Sequence, residues 1–166
     1  KMASLDLGPV HEFPFLQPPI NKFIQDGYQL LYELDAVDRN FKILPMGHQL
    51  AKLPLDPSLG RILIESNKQA CLNEILIIIS ALSISDPRER PLDKAEKADQ
   101  AHLLFHDPDS GFMSFIKLWK LLDEKISIKS GKGLRTFCQQ YFVSYTRIRE
   151  WQELYKQLAE MTKELD

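Results

Sequence analysis

Five consecutive residues, Ile75-Leu76-Ile77-Ile78-Ile79, are apolar on every side, and this run constrains the fold more than any other stretch. It is far too short to span a bilayer, which needs roughly 20 apolar residues. It must therefore be buried in protein, as a strand or as a central helix. The flanks favour helix: Asn73 can cap the start, Glu74 suits the first turn, and apolar or small residues continue to Ala81, Leu82 and Ile84. Asp86-Pro87 ends the element, and the charged Arg88-Glu89-Arg90-Pro91 leads the chain out of the core. A helix apolar all round needs other helices around it.

The rest of the chain supplies them. Pro18-Pro19 reads as the opening of a helix with Ile20, Phe23, Ile24, Leu30, Leu31 and Leu34 on one face. Asp38-Arg39-Asn40 is a turn, and the alternation in Phe41-Lys42-Ile43-Leu44 predicts a short strand. Pro45-Met46-Gly47 starts a short helix that Leu53-Pro54-Leu55-Asp56-Pro57 breaks. A further helix runs from Ser58 to about Gln69, with Leu59, Ile62, Leu63 and Ser66 expected inside. Helix, short strand pair, helix is the outline of a winged helix.

Beyond the central run, Ala95, Ala98, His102 and Phe105 recur at helical spacing. Ser110 can cap a helix carrying Phe112, Phe115, Ile116, Trp119 and Leu122. Ile126 to Gly133 is polar and reads as a mobile loop, Leu134 to Tyr141 as a short helix. Ser144 can cap the last helix, with Ile148, Trp151, Tyr155, Leu158 and Met161 along it. The fold class expected is mainly α: a winged helix followed by a helical bundle.

Charge is uneven. The formal net charge is −2, but Gly111 to Asp166 holds 10 Lys+Arg against 7 Asp+Glu, leaving 11 against 16 before it. A modestly basic C-terminal portion permits contact with a polyanion without demanding it. Cys71 and Cys138 are far apart and read as free thiols of a reducing compartment. No charged stretch followed by an apolar one opens the sequence, so no signal peptide is expected; the first residues look like the interior of a longer chain, and no run is long enough to cross a membrane.

Catalytic patterns are missing. Lys129-Ser130-Gly131-Lys132-Gly133 lacks the spacing of a phosphate loop and the buried strand before it. His102 and His106 share a helix face at i and i+4, but Leu103 stands where a zinc protease needs its glutamate, so they read as structural. Neither cysteine sits in a nucleophile signature. The informative residues are basic. Arg88 and Arg90 bracket the exit from the buried helix, and Arg147 and Arg149 lie in the first turns of the last helix beside Tyr141, Tyr145 and Trp151. Arginine with aromatics suits a single nucleic-acid strand, guanidinium to phosphate and ring to base. Lys117, Lys129, Lys132 and Arg135 are further phosphate candidates.

Several motifs also resemble a known family. Ile24-Gln-Asp-Gly27 through Leu30-Leu-Tyr-Glu-Leu34, Leu44-Pro-Met-Gly47 and Leu53-Pro-Leu-Asp-Pro57 are similar to the winged-helix segment of DEAH-box helicases. Cys71 to Pro91 resembles the start of their helical ratchet domain. Ser85-Asp-Pro-Arg-Glu-Arg-Pro91, His106-Asp-Pro-Asp109, Phe115 to Trp119 and Arg147-Ile-Arg-Glu-Trp151 are most similar to bacterial HrpA-type RNA helicases. Phe142, Ser144, Ile148, Arg149, Gln157 and Leu158 match the family, whereas Tyr141 and Thr146 stand where many members carry Asn and Arg.

The resemblance implies a connecting segment at 1–16, a winged helix at 17–69 and a ratchet domain at 70–166. It implies an accessory part of an ATP-dependent, 3′-to-5′ RNA helicase. Single-stranded RNA and the RecA-like domains of the same chain would be its partners, in the cytoplasm and with no membrane. ATP and Mg would be bound by domains outside this segment, which carries no catalytic motif and is expected to be inactive alone. The rival expectation is a protein-interaction adaptor, and a protein cofactor at the winged helix is left open.

Overall fold

The computed structural model describes residues 2–5, 7–8, 10–125 and 131–164. Among the described residues there are eight α-helices, no named strand and two isolated β-bridges. The chain divides into two compact units between Glu65 and Ser66.

In the first unit, α1 spans Asn21–Glu33. Pro18-Pro19 stands before this helix rather than in its first turn, and Ile20 holds the N-cap position. Despite its apolar stripe, α1 buries none of its side chains; Ile20 and Phe23 are each 65% exposed. The strand expected at 41–44 reduces to one bridge, Val37 to Ile43. Asp38 is the cause: its carboxylate accepts the amides of Asn40 and Lys42, which curls the chain into a tight turn.

Then α2, Pro45–Lys52, begins on proline as a first helical residue should, and α3 spans Pro57–Lys68. Gly47 lets α2 lie against the main chain at Ala36; a Cβ there would collide with the Ala36 carbonyl oxygen and come within 2.7 Å of Ile43 Cγ1. In α3 the buried side is Gly60, Leu63, Ile64 and Ser66, and Ile62, expected inside, is 49% exposed.

The second unit is built on α4, Leu72–Leu82, which is the apolar run. Leu76, Ile77, Ile79, Ser80 and Ala81 are buried. Cys71, not Asn73, holds the N-cap position, because Ala70 turns back with φ +55 immediately before it. The helix stops at Leu82, ahead of Asp86-Pro87, where the Ser83 amide and hydroxyl both donate to the Ile79 carbonyl.

A short 3-10 turn leads into α5, Ala95–His102, whose Ala98 is buried, as is Phe105 just beyond it. Helix α6, Gly111–Lys125, is capped as expected, with the Met113 amide donating to Ser110 Oγ at 3.3 Å. Its Phe112, expected in the core, is 55% exposed, and Ser114 is buried in its place. Helix α7 spans Gly131–Tyr141, so 131–133 belong to it rather than to the expected loop; 126–130 lie outside the described residues.

Last comes α8, Tyr145–Thr162. Ser144 stands at its N-cap but makes no side-chain cap bond. Both α6 and α8 pack on α4. Trp151 is fully buried at the centre, and its indole N–H donates to the Ile77 carbonyl and to Ser80 Oγ, each at 3.0 Å. Those two acceptors satisfy an indole N–H that would otherwise be stranded in the core; Ser80 Oγ is itself already bonded to the Leu76 and Ile77 carbonyls.

Candidate nucleic-acid interface

The segment leaving α4 is fastened to the connection between α7 and α8. Phe142 takes φ +51, a left-handed conformation uncommon outside glycine, and so turns 142–144 alongside 87–89. The Ser144 amide donates to the Pro87 carbonyl at 2.7 Å, the Glu89 amide to the Phe142 carbonyl at 2.8 Å, and Arg88 bridges Val143. His102 closes the arrangement from α5, its Nε2 donating to the Phe142 carbonyl at 3.0 Å. A carbonyl can only accept, so this contact fixes the tautomer.

Two predicted arginines meet at Asp86. Arg88 grips its carboxylate through Nε at 2.9 Å and Nη2 at 2.5 Å, and Arg147 donates from Nη1 to its main-chain carbonyl at 2.8 Å. The Arg88 guanidinium also lies over the Phe115 ring at 5.5 Å. Burial pushes the Asp86 carboxyl up, but hydrogen bonds from the Arg88 side chain and amide and its positive charge outweigh this, leaving it below the usual range.

Two more of the predicted arginines flank the start of α8. Arg135 lies over the tyrosine ring at 5.1 Å from the centroid. Arg149, one helical turn beyond Tyr145, donates to Glu153 Oε1 at 2.9 Å, and its charge is held firmer first by Glu153 and then by Tyr145.

The other candidates stand apart. Arg90 forms a two-pronged pair with Asp99 on α5, at 2.7 and 2.8 Å. Lys117 pairs with Asp107 at 2.8 Å. Lys132 lies in the first turn of α7, and Lys129 falls outside the described residues. Exposed ion pairs are weak and screened by salt, so an incoming phosphate can displace the acid at small cost.

Tyr141 and Trp151 do not share this surface: both are buried, Trp151 completely. Tyr145 and Phe115, both partly buried, are the aromatics that face arginine. Asp86 and Phe115 are not among the residues expected at such a surface. Asp86 carries a local signal, standing two residues before Arg88; Phe115 carries none. The two histidines hold no metal arrangement; no cluster of metal-ligating side chains occurs among the described residues. No described helix is long and apolar enough to cross a membrane.

Residues 28–55 match the family model "Helicase associated domain (HA2), winged-helix", and residues 56–133 match "Helicase associated domain (HA2), ratchet-like". The chain belongs to the helicase-associated HA2 family of DExH-box RNA helicases. It is 44% identical to the ATP-dependent RNA helicase HrpA of Escherichia coli K12 across 99% of its own length, but covers 13% of that protein. It is 28% identical to the DExH-box ATP-dependent RNA helicase DExH3 of Arabidopsis thaliana, covering 99% of this chain and 14% of the relative. The pre-mRNA-splicing factor ATP-dependent RNA helicase prp22 of Schizosaccharomyces pombe is 25% identical over 96% of this chain and 13% of its own length. The HA2 chain thus spans about an eighth of the length of the curated relatives it matches.

Proposed function

We propose that this HA2 chain is the RNA-guiding accessory segment of an ATP-dependent, 3′-to-5′ RNA helicase. The bundle at 70–166 forms one wall of a single-stranded RNA channel, and the winged helix at 17–69 joins that wall to RecA-like ATPase domains. ATP and Mg are held by those domains. The carrying observation is that Arg88 and Arg147, far apart in sequence, are both held at Asp86, with Arg135 lying over the Tyr145 ring as a further cation beside an aromatic. Support also comes from the names of the relatives, which are RNA helicases. The chemistry is positioning: guanidinium groups hold phosphates and Tyr145 offers a ring to a base, with no bond made or broken here.

The test is a salt series of binding to a single-stranded RNA oligonucleotide. The wild-type chain should bind weakly with a steep salt dependence, and each phosphate contact removed should lower the slope by about 0.7. The Arg135→Ala/Arg149→Ala and Arg88→Ala/Arg147→Ala variants should each flatten it, and in the parent helicase should slow unwinding.

One observation favours a second reading, a protein-interaction adaptor. Helix α1 buries no side chain, Phe23 and Leu30 are exposed on it, and so is Ile20 at its N-cap. RNA binding that is indifferent to salt and to the four arginines would decide for that reading.

A further inference from the structure

We propose that the first unit carries a separate nucleobase site, in which Phe41 stacks on a base of single-stranded RNA and Arg39 or Lys42 takes the adjoining phosphate. This rests on the reading that the chain handles RNA, but on none of the residues that carry it. The site is a partly open groove of about 1210 Å³ beside α1 and the turn at 38–43.

Phe41 is the reason to look there. Its backbone has φ +60, in a region where a bulky residue is a genuine outlier, and 56% of the residue is exposed. Such a conformation persists only where its surroundings over-determine it. Here they do: Asp38 accepts the amides of Asn40 and Lys42 on its carboxylate, its own amide donates to the Lys42 carbonyl, and its carbonyl accepts the Phe41 amide. The turn thus holds an apolar ring outside the core. That ring rests on Tyr28, with centroids 4.5 Å apart and planes tilted by 46°. An aromatic platform fixed at the wall of a groove is what a base requires, because every base has a flat face to stack.

The polar lining fits the same ligand. Asn21, Gln25 and Asn40 line the groove, and their side-chain amides have no partner among the described residues. Each offers both a donor and an acceptor, the set that reads the edge of an unpaired base. Lys42 has no ion pair among the described residues, and Arg39 is held only through its Nε, 3.3 Å from the Tyr32 hydroxyl. Asp38 is the one carboxylate in the lining, and two backbone amides already occupy its Oδ1. Two cations against one engaged acid favour an anionic ligand over a neutral or basic peptide, and the stacking ring beside them favours a nucleotide among anions.

The experiment uses the whole chain and two labelled oligonucleotides of equal length, one of uridines and one of abasic ribose units. A 4-thiouridine version is photo-crosslinked and the modified peptides are mapped by mass spectrometry. We expect crosslinks within 21–43. Phe41→Leu should weaken uridine binding about tenfold and leave the abasic oligonucleotide unchanged. Lys42→Gln should weaken both and flatten the salt dependence by one phosphate contact. Thermal unfolding of each variant guards against a trivial loss of structure.

Crosslinks confined to 135–149, together with unchanged uridine affinity in Phe41→Leu, would overturn the site. So would a groove that binds an aromatic peptide without displacing any RNA. Arg135→Ala/Arg149→Ala separates the two proposals. If that variant binds RNA like wild type while Phe41→Leu does not, the nucleobase site stands and the channel wall falls.

Discussion

Arg147 reaches back 61 residues to donate a hydrogen bond, at 2.8 Å, to the main-chain carbonyl of Asp86. The same residue's carboxylate is held by Arg88. One aspartate therefore fixes the position of two cations from distant parts of the chain, one with its side chain and one with its backbone. Arg147→Ala removes this tie between the two segments and should lower the stability of the second unit by about 1 kcal/mol. Arg147→Lys should recover part of this, since a point donor can still reach the carbonyl. Urea denaturation of the three proteins measures both.

Acid should act on the same aspartate. Because the Asp86 carboxyl is held below its usual value of 3.8, it contributes stability that is complete above that pH. The contribution is lost as pH falls through the lower, folded-state value. Asp86→Asn should therefore be less stable than wild type at neutral pH, with the gap closing as the pH drops below 3.8. Denaturation midpoints across a pH series would show the two curves converging; parallel curves would contradict the assignment.

Two glycines should respond in opposite directions. Gly47→Ala drives a methyl group into the Ala36 carbonyl oxygen and toward Ile43, and should cost about 1–3 kcal/mol. Gly27, in the middle of α1, has nothing within 4 Å of where an added methyl would sit, so Gly27→Ala should stabilise by up to about 1 kcal/mol. Thermal unfolding distinguishes a fall from a rise.

The two thiols should differ in reactivity. Burial, and then the negative charge of Glu89, push the Cys138 thiol up to about 11, so almost none of it is thiolate at about pH 8. Cys71 is only half-buried. Iodoacetamide in mild alkali should label Cys71 first and reach Cys138 only when denaturant is added, as peptide mass spectrometry would report.

The central helix is legible because a run such as Ile75–Ile79 has no polar face to misjudge. Other faces are harder. In α3 the buried side includes Gly60, which carries no hydrophobic signal, so the pattern turns Ile62 inward in place of Ile64. In α1 the apolar stripe is present, but a stripe specifies only that something could cover it. The arginines at 88 and 147 can be named from sequence, whereas their shared contact cannot, since a carbonyl 61 residues away leaves no mark in local pattern. Trp151 follows Ile148 by three residues and precedes Tyr155 by four, a spacing that argues for burial over display.

The pairing of 87–89 with 142–144 is made by backbone atoms, not side chains. Its geometry is thus largely indifferent to which residues occupy 88 and 89. Homologues could exchange the groups displayed there, swapping one charge or shape for another, while the platform displaying them keeps its place. A lineage could in this way retune the charge and shape it presents there by single codon changes, without having to reinvent the frame.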